Sequence, residues 1–89
     1  MSARDIVERL ELAMINEAYR AVGEGVAAPA DVDIAMRLGA GHPRGPFERV
    51  ADLGLRSVVE RLRVLHLGSG GRSGDQFEVA PLLWQMATV

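Results

Sequence analysis

Glycine and proline are concentrated in the middle of this chain, in the segment RLGAGHPRGPFERVADLGL at residues 37–55. Glycine allows positive φ, whereas proline fixes φ and lacks an N–H donor, so both restrict how a backbone can turn. The segment contains Gly39, Gly41, Pro43, Gly45, Pro46 and Gly54. Because Phe47, Val50 and Leu53 lie among them, the segment is not a flexible Gly/Ser linker. It predicts an ordered turn packed between helices, with positive φ at its glycines.

The residues before this segment have the three-and-four apolar spacing of a long helix that ends near Gly23 or Gly25. Ser2 and Asp5 resemble a capping box at its start. One apolar stripe consists of Ala3, Ile6, Val7, Leu10, Ala13, Met14, Ala18, Ala21 and Val22, and a second of Leu12, Ile15 and Tyr19. An apolar surface this wide predicts burial against two neighbours, one of which could be another subunit.

Three prolines mark the starts of further helices, because proline is tolerated in the first helical turn. Pro29 opens a second helix that Gly39 stops, Pro46 opens a short third helix, and Pro81 opens the last one. Gly54 is the predicted αL terminator of the third helix. A fourth helix then carries Leu55, Val58, Val59, Leu62 and Leu65 on its inward side.

Length and patterning together indicate one all-α domain over residues 1–89, with about five helices. No alternating strand pattern of useful length is present. With 48% apolar and 25% charged residues, the chain has the composition of a folded globular protein. Residues 68–75, with the sequence GSGGRSGD, predict a mobile surface loop.

Composition excludes several classes of function. The absence of cysteine excludes disulfides, thiolate catalysis and zinc fingers. All ten basic residues are arginine, and against twelve acidic residues they give a net charge of −2, so no basic surface for nucleic acid is expected. Neither a long apolar run nor a secretory signal is evident, so we expect a cytoplasmic protein without a membrane partner.

The two histidines are the only imidazoles available for catalysis or metal binding. His42, beside Pro43, could be a general base or a ligand, but no recognisable metal spacing surrounds it, and we interpret it as a turn residue. His66 lies near the end of the fourth helix, where the dipole favours imidazolium, and we interpret it as a helix-end residue. The sequence therefore predicts no catalytic and no metal-binding residue.

Two interpretations of the turn glycines stay open. Gly39, Gly41 and Gly45 could form a phosphate cradle for coenzyme A, although their spacing matches neither nucleotide-binding fingerprint and no strand precedes them. The arginines available for such contacts are Arg37, Arg44 and Arg49. In the interpretation that we favour, the glycines and prolines are a fold signature that sets how two helices approach.

Three polar side chains are predicted to brace this turn. Asn16 lies in the apolar part of the first helix, where a buried amide without partners would cost about 1–3 kcal/mol. We predict that Asn16 binds the turn at residues 43–46, with substrate contact as the alternative. Asp33 is predicted to brace the turn after Gly39, and Asp52 to bind free backbone N–H groups.

The aromatic residues also have two interpretations. In the simpler one the core contains Tyr19, Phe77 and Trp84. In the alternative, Trp84 lies in an exposed patch for a partner, together with Leu12, Ile15 and Met86.

An ordered set of short motifs spans nearly the whole chain. It comprises IVERL at residues 6–10, NEA at 16–18, EGVA at 24–27, DVDIAMRLGAG at 31–41, PRGPF at 43–47, DLGL at 52–55 and DQFEVAPLL at 75–83. Together these motifs resemble the helical C-terminal domain of 3-hydroxyacyl-CoA dehydrogenases, and most of all the second helical repeat of 3-hydroxyadipyl-CoA dehydrogenases and fatty-acid oxidation multienzymes. The fold implied is that of the C-terminal domains of 3-hydroxyacyl-CoA and phosphogluconate dehydrogenases.

The resemblance also implies which domain binds NAD and which domain closes the substrate cleft. In the family a Rossmann domain binds NAD and carries the catalytic His and Glu, while the helical domain closes the acyl-CoA cleft and pairs with a second copy. This sequence has no strand–GxGxxG–helix unit, so no catalytic or cofactor-binding residue is expected here and NAD would act only through a partner.

One position departs from the family pattern. Catalytic members carry an Asn–Arg pair early in the first long helix, where this chain has Glu8 and Arg9. An ionised carboxylate cannot donate the hydrogen bond that an amide donates. No catalytic role is therefore expected for Glu8, whereas Arg9 is expected to form an ion pair.

These observations lead to one expected function and two alternatives. We expect a free-standing structural and association module of 3-hydroxyacyl-CoA oxidation in fatty-acid or aromatic catabolism. It would pair with itself or with a separate Rossmann-containing dehydrogenase subunit, and it would be inactive alone. The alternatives are a small acyl-CoA-binding protein and a fragment of a dehydrogenase.

Overall fold

The computed structural model describes residues 2–69 and 76–88, and within these ranges the regular secondary structure consists of α-helices only. The helices are α1 (Ala3–Gly23), α2 (Pro29–Gly39), α3 (Pro46–Leu53), α4 (Leu55–Gly68) and α5 (Pro81–Ala87). The predicted all-α class and the proline starts of α2, α3 and α5 are confirmed. The loop predicted at 68–75 falls mainly on residues 70–75, which lie outside the described residues.

The predicted capping box begins α1. The Asp5 amide donates to the Ser2 Oγ at 3.2 Å, and the Ser2 amide donates to the Asp5 Oδ2 at 3.0 Å. Hydrogen bonding to the Asp5 carboxylate by the Ser2 amide, and to a smaller extent by the Ser2 side chain, favours its ionised form and holds the pKa of Asp5 below its ordinary value. Local sequence thus fixes where α1 starts.

The core is built around α1, which packs against all four other helices. Leu12 and Ile15 are fully buried on its inner side, and Tyr19 places its ring 4.5 Å from that of Phe47. Opposite them, Leu62 of α4 and Leu83 of α5 are also fully buried. The second apolar stripe of the sequence is therefore the core face of α1.

The first apolar stripe of α1 is only partly buried, contrary to the simplest expectation. Ile6, Val7 and Leu10 expose 48%, 63% and 67% of their surface. Apolar spacing identifies a helical face but not which of two faces meets the core, and here the two stripes point to different sides of α1. This leaves an apolar outer face on the first half of α1.

The glycines of the turn segment serve different purposes. Gly41 and Gly54 have φ of 71° and 91°, as predicted for glycine, but the ψ of 135° at Gly54 places it outside the αL region. Gly54 alone separates α3 from α4, so this conformation lets one helix follow another directly. The prediction of positive φ at Gly39 and Gly45 is wrong, because Gly39 ends α2 and Gly45 is extended with φ of −75°.

The aromatic residues divide between core and surface. Phe77 and Tyr19 are buried as predicted, but the prediction that Trp84 belongs to the core is wrong, because 39% of its surface is exposed. Arg63 lies 5.6 Å from the Trp84 ring centre, where a cation is attracted by the π-electrons. The alternative patch is also wrong in part, since Leu12 and Ile15 are fully buried while Met86 is exposed.

No helix in the described ranges combines the length and the apolar character needed to cross a bilayer.

Candidate functional site

The turn between α2 and α3 is organised by the carboxylate of Asp33. Asp33 is buried on α2, and its two oxygens accept hydrogen bonds from the amides of Phe47 and Glu48 at 2.9 and 3.1 Å. These amides belong to the first turn of α3, where backbone N–H groups lack helical partners. The negative charge also meets the positive end of the α3 dipole. Asp33 therefore joins α2 to the beginning of α3.

Gly45 is required beside Asp33 for space, not for positive φ. A Cβ added at Gly45 would overlap the carboxylate and the Cα of Asp33. The Gly45 amide in turn donates to the Glu48 Oε1 at 2.8 Å, which was not foreseen. Glu48 stands three residues after Gly45, and this capping spacing was a signal that the sequence contained.

The three arginines considered for coenzyme A all pair with carboxylates of the chain itself. Their closest contacts are Arg37 Nε to Glu48 Oε1 at 3.3 Å, Arg44 Nε to Asp52 Oδ2 at 3.0 Å, and Arg49 Nε to Glu11 Oε2 at 3.0 Å. Each pair is partly exposed, so its net contribution to stability is small. The positive charge around the turn is nevertheless balanced by acids within the fold.

Asp52 does not perform the role predicted for it. Its two carboxylate oxygens accept hydrogen bonds from the Nε and Nη2 of Arg44 at 3.0 and 3.1 Å, which makes a bidentate ion pair. The prediction that Asp52 binds backbone N–H groups is therefore wrong. Asp33 already binds the amides at the start of α3. Asp52 lies near the other end of the same helix, where orphan amides do not occur.

Asn16 is fully buried and binds the segment that leads into α5. Its Nδ2 donates to the carbonyls of Gln76 and Glu78 at 3.1 and 2.6 Å, and its Oδ1 accepts from the Ala80 amide at 2.9 Å. The prediction that Asn16 binds the turn at residues 43–46 is therefore wrong. Residues 76–80 form no helix, so their backbone groups need side-chain partners, and Asn16 provides them.

An open groove of about 600 Å³ lies between the first half of α1 and α4, with Asp5, Glu8, Arg9, Arg61 and Val64 among its lining residues. Glu8 pairs with the Nη1 of Arg61 at 3.2 Å. Arg9 forms no ion pair within the described residues, contrary to expectation; its guanidinium lies 5.2 Å from the Phe77 ring centre. Glu8 and Arg61 therefore neutralise each other within the groove.

The histidines stand apart from any cluster of acids. The His42 amide donates to the Met36 carbonyl at 3.1 Å, which ties the turn back to α2. His66 lies in the last turn of α4, and its buried Nδ1 has no partner among the described residues. Within residues 2–69 and 76–88, no group of three or more His, Asp or Glu is placed to hold a metal ion.

Tyr19 is the one tyrosine of the chain, and burial raises the pKa of its hydroxyl, with the charge of Asp33 as a second cause. Since the folded state favours the neutral hydroxyl, Tyr19 contributes fully to stability below its unfolded pKa of about 10, and this contribution is lost as pH rises through its folded pKa.

We expect Tyr19→Phe to weaken the fall in melting temperature above pH ~10. Circular dichroism melts of both proteins across this range would test it; parallel curves would contradict it.

The family was identified by comparison with known proteins. A model of the family described as "3-hydroxyacyl-CoA dehydrogenase, C-terminal domain" matches residues 6–89. The chain belongs to this family.

Relatives of this 3-hydroxyacyl-CoA dehydrogenase C-terminal domain include dehydrogenases that are several times longer. A probable 3-hydroxybutyryl-CoA dehydrogenase of Deinococcus radiodurans is 38% identical over 81 residues, which are 91% of this chain and 28% of that protein. The 3-hydroxybutyryl-CoA dehydrogenase of Bradyrhizobium diazoefficiens is 41% identical over 88% of this chain and 26% of its own length. The domain thus spans little more than a quarter of these relatives.

A solved structure has the same fold. The (S)-3-hydroxybutyryl-CoA dehydrogenase of Ralstonia eutropha superposes with a TM-score of 0.79 at 32% identity. The alignment covers 90% of this chain and 27% of that one. The likeness therefore covers the helical domain and not the larger remainder of the solved protein.

Proposed function

We propose that this domain serves NAD-dependent oxidation of 3-hydroxyacyl-CoA as a structural and association module. In this proposal it packs against a nucleotide-binding domain, closes one side of the acyl-CoA cleft, and carries out no hydride transfer by itself. NAD would be bound by the partner domain. Relatives named as 3-hydroxybutyryl-CoA dehydrogenases favour a short 3-hydroxyacyl chain as the substrate.

The observation that carries the proposal is the extent of the match. The C-terminal domain model covers residues 6–89, whereas these residues correspond to only 26–28% of the dehydrogenases named above. Hydride transfer requires a site that binds and orients NAD. The described residues contain no strand on which a Rossmann nucleotide site could be built.

The ion pairs at the turn also support an association role over a separate acyl-CoA-binding role. A phosphate-binding site needs positive charge that is available to the ligand. Arg37, Arg44 and Arg49 each already have a carboxylate within 3.3 Å. Coenzyme A phosphates would have to compete with those carboxylates at every one of the three positions.

A domain exchange tests the proposal. The C-terminal domain of the Ralstonia eutropha enzyme would be replaced by residues 2–89 of this chain, and NAD reduction with 3-hydroxybutyryl-CoA would be measured. We expect the isolated chain to be inactive and the exchange protein to be active, with higher turnover after Glu8→Asn, because asparagine restores an amide donor at this position. The control is the Ralstonia domain rejoined through the same junction.

Two results would decide against the proposal. One is an exchange protein that folds and binds NAD but has no turnover with either Glu8 or its asparagine variant. The other is binding of 3-hydroxybutyryl-CoA to the isolated chain in calorimetry with a dissociation constant near 1 μM, about −8 kcal/mol. That second result would favour a small acyl-CoA-binding protein instead.

A further inference from the structure

A second pocket, of about 320 Å³, opens where the turn between α2 and α3 meets α1. Its walls come from the middle of α1, from residues 42–44 of the turn and from the first half of α3, and we call it the turn pocket. This volume lies at the lower end of the range that holds small-molecule ligands. An occupant of the turn pocket would therefore be small.

One side of the turn pocket is apolar. It is formed by Met14 and Ile15 of α1 together with Pro43 and Pro46. Ile15 is fully buried and Pro46 is also buried, so the core holds both in place. The proline rings have few conformations of their own. This side of the pocket thus offers a pre-formed hydrocarbon wall.

The other side of the turn pocket carries Arg49, whose guanidinium is oriented by Glu11. The Arg49 Nε donates to the Glu11 Oε2 at 3.0 Å, and this is the one hydrogen bond that its side chain forms within the described part of the chain. A guanidinium has further N–H donors on both Nη atoms. Glu11 therefore fixes the position of Arg49 and leaves these Nη donors for a ligand.

Two more polar side chains line the same pocket. The His42 imidazole is half-buried and forms no hydrogen bond within residues 2–69 and 76–88, and a neutral imidazole still has one N–H to donate. Arg44 is the second arginine, and Asp52, which binds it, is not among the lining residues. Two arginines thus line the pocket against the single acid Glu11. This balance favours a ligand with one negative charge.

We propose that the turn pocket binds a small carboxylate with a short apolar body, of which butyrate is an example. The carboxylate accepts hydrogen bonds from the Nη donors of Arg49 and from His42, and the hydrocarbon part lies against Ile15 and Pro46. A carboxylate matches the paired donors of a guanidinium, whereas a phosphate ester with two charges would need the arginines that acids already bind. This inference goes beyond the proposed function and does not depend on it.

The apolar wall favours a free acid over an acidic side chain of a partner protein. Such a side chain arrives with its polar backbone, and a hydrocarbon surface offers no hydrogen bonds to that backbone. A free ligand of this size has few atoms with which to gain affinity, so we expect a dissociation constant of about 1–10 mM. Because it would contact α1, the turn and α3 together, it would also stabilise the folded chain.

Proton NMR of the whole chain, titrated with sodium butyrate to about 100 mM at constant ionic strength, tests the inference. We expect the C2 proton of His42 to shift and to saturate. His66 is the internal control, because it lies in the last turn of α4 and does not line the pocket. Butyramide has a similar shape without the charge, and we expect it to bind at least about tenfold more weakly.

Three variants identify the groups that bind the carboxylate. Arg49→Gln is expected to weaken butyrate binding by about tenfold or more, since it removes the charged donors. Arg37→Gln is the matched control, because Arg37 pairs with Glu48 at the same turn but does not line the pocket, and it is expected to change nothing. Glu11→Gln removes the competing carboxylate and is expected to strengthen binding by about two- to fivefold. Circular dichroism would verify that each variant folds.

Several results would overturn the inference. They are a His42 shift that does not saturate, equal binding of butyrate and butyramide, equal effects of Arg49→Gln and Arg37→Gln, and weaker binding after Glu11→Gln. Acetate that binds as tightly as butyrate would overturn the role of the apolar wall. The readout is binding by the isolated chain, so it is independent of the turnover that tests the proposed function. Millimolar butyrate binding also differs clearly from the micromolar thioester binding that would decide against that function.

Discussion

Replacing Asn16 with alanine is expected to lower the free energy of unfolding by about 3–5 kcal/mol, a large part of the stability of a domain this small. The substitution removes three hydrogen bonds and leaves the carbonyl of Gln76 and the amide of Ala80 without this partner. The Glu78 carbonyl keeps only the bond that it accepts from the Arg20 Nη2 at 3.0 Å. A buried group left unpaired costs about 1–3 kcal/mol, and the Ala80 amide is such a group. Because these groups hold the segment leading into α5, α5 should loosen first.

Urea unfolding followed by circular dichroism would measure this loss, with Glu17→Ala as the matched control on the next, exposed position of α1. The control is expected to change stability by no more than about 0.5 kcal/mol. Asn16→Asp separates the bond that Asn16 accepts from the bonds that it donates, since aspartate can accept from the Ala80 amide but cannot donate to the carbonyls of Gln76 and Glu78. A loss below about 1 kcal/mol for Asn16→Ala would show that residues 76–80 do not depend on this amide.

The helices and the family could be predicted from the sequence because both depend on local signals. Ser2 with Asp5, and the prolines at 29, 46 and 81, fix helix starts through backbone chemistry within a few residues. The motif order similarly required no knowledge of contacts. The structure and the family comparison confirmed these predictions.

The partners of the polar side chains could not be predicted in the same way. Asn16 was rightly expected to need partners, but its partners lie 60 to 64 residues away, and burial of an amide does not indicate which backbone it meets. Asp33 and Asp52 are both acids near the turn. Only the packing of α2 against α3 determines that Asp33 reaches the free amides while Asp52 pairs with Arg44.

The two apolar faces of α1 show a further limit of periodicity. Spacing located two apolar faces on α1 correctly but did not rank them, since Leu10 and Leu12 are equivalent in hydropathy. The structure separates them, with Leu10 67% exposed and Leu12 fully buried. The inference from sequence that one neighbour of α1 could be another subunit remains a prediction.

Gly45→Ala is the second substitution with a large expected effect, a loss of about 2–4 kcal/mol of unfolding free energy. The added Cβ would overlap both the carboxylate and the Cα of Asp33. Asp33 cannot move away without losing its hydrogen bonds to the amides of Phe47 and Glu48. Because the overlap includes the Cα of Asp33, a change of the Asp33 side-chain rotamer cannot relieve it completely.

Gly39→Ala is the matched control, because Gly39 is helical, lacks positive φ, and has no atom within 4 Å of an added Cβ. It is expected to be neutral or to stabilise by up to about 1 kcal/mol through its effect on helix propensity and the unfolded state. Thermal and urea unfolding would measure both variants. In an Asp33→Ala background Gly45→Ala should cost less than it does alone, since part of the overlap is removed. If Gly45→Ala were as harmless as Gly39→Ala, close approach of α2 to the turn would not be what requires glycine at this position.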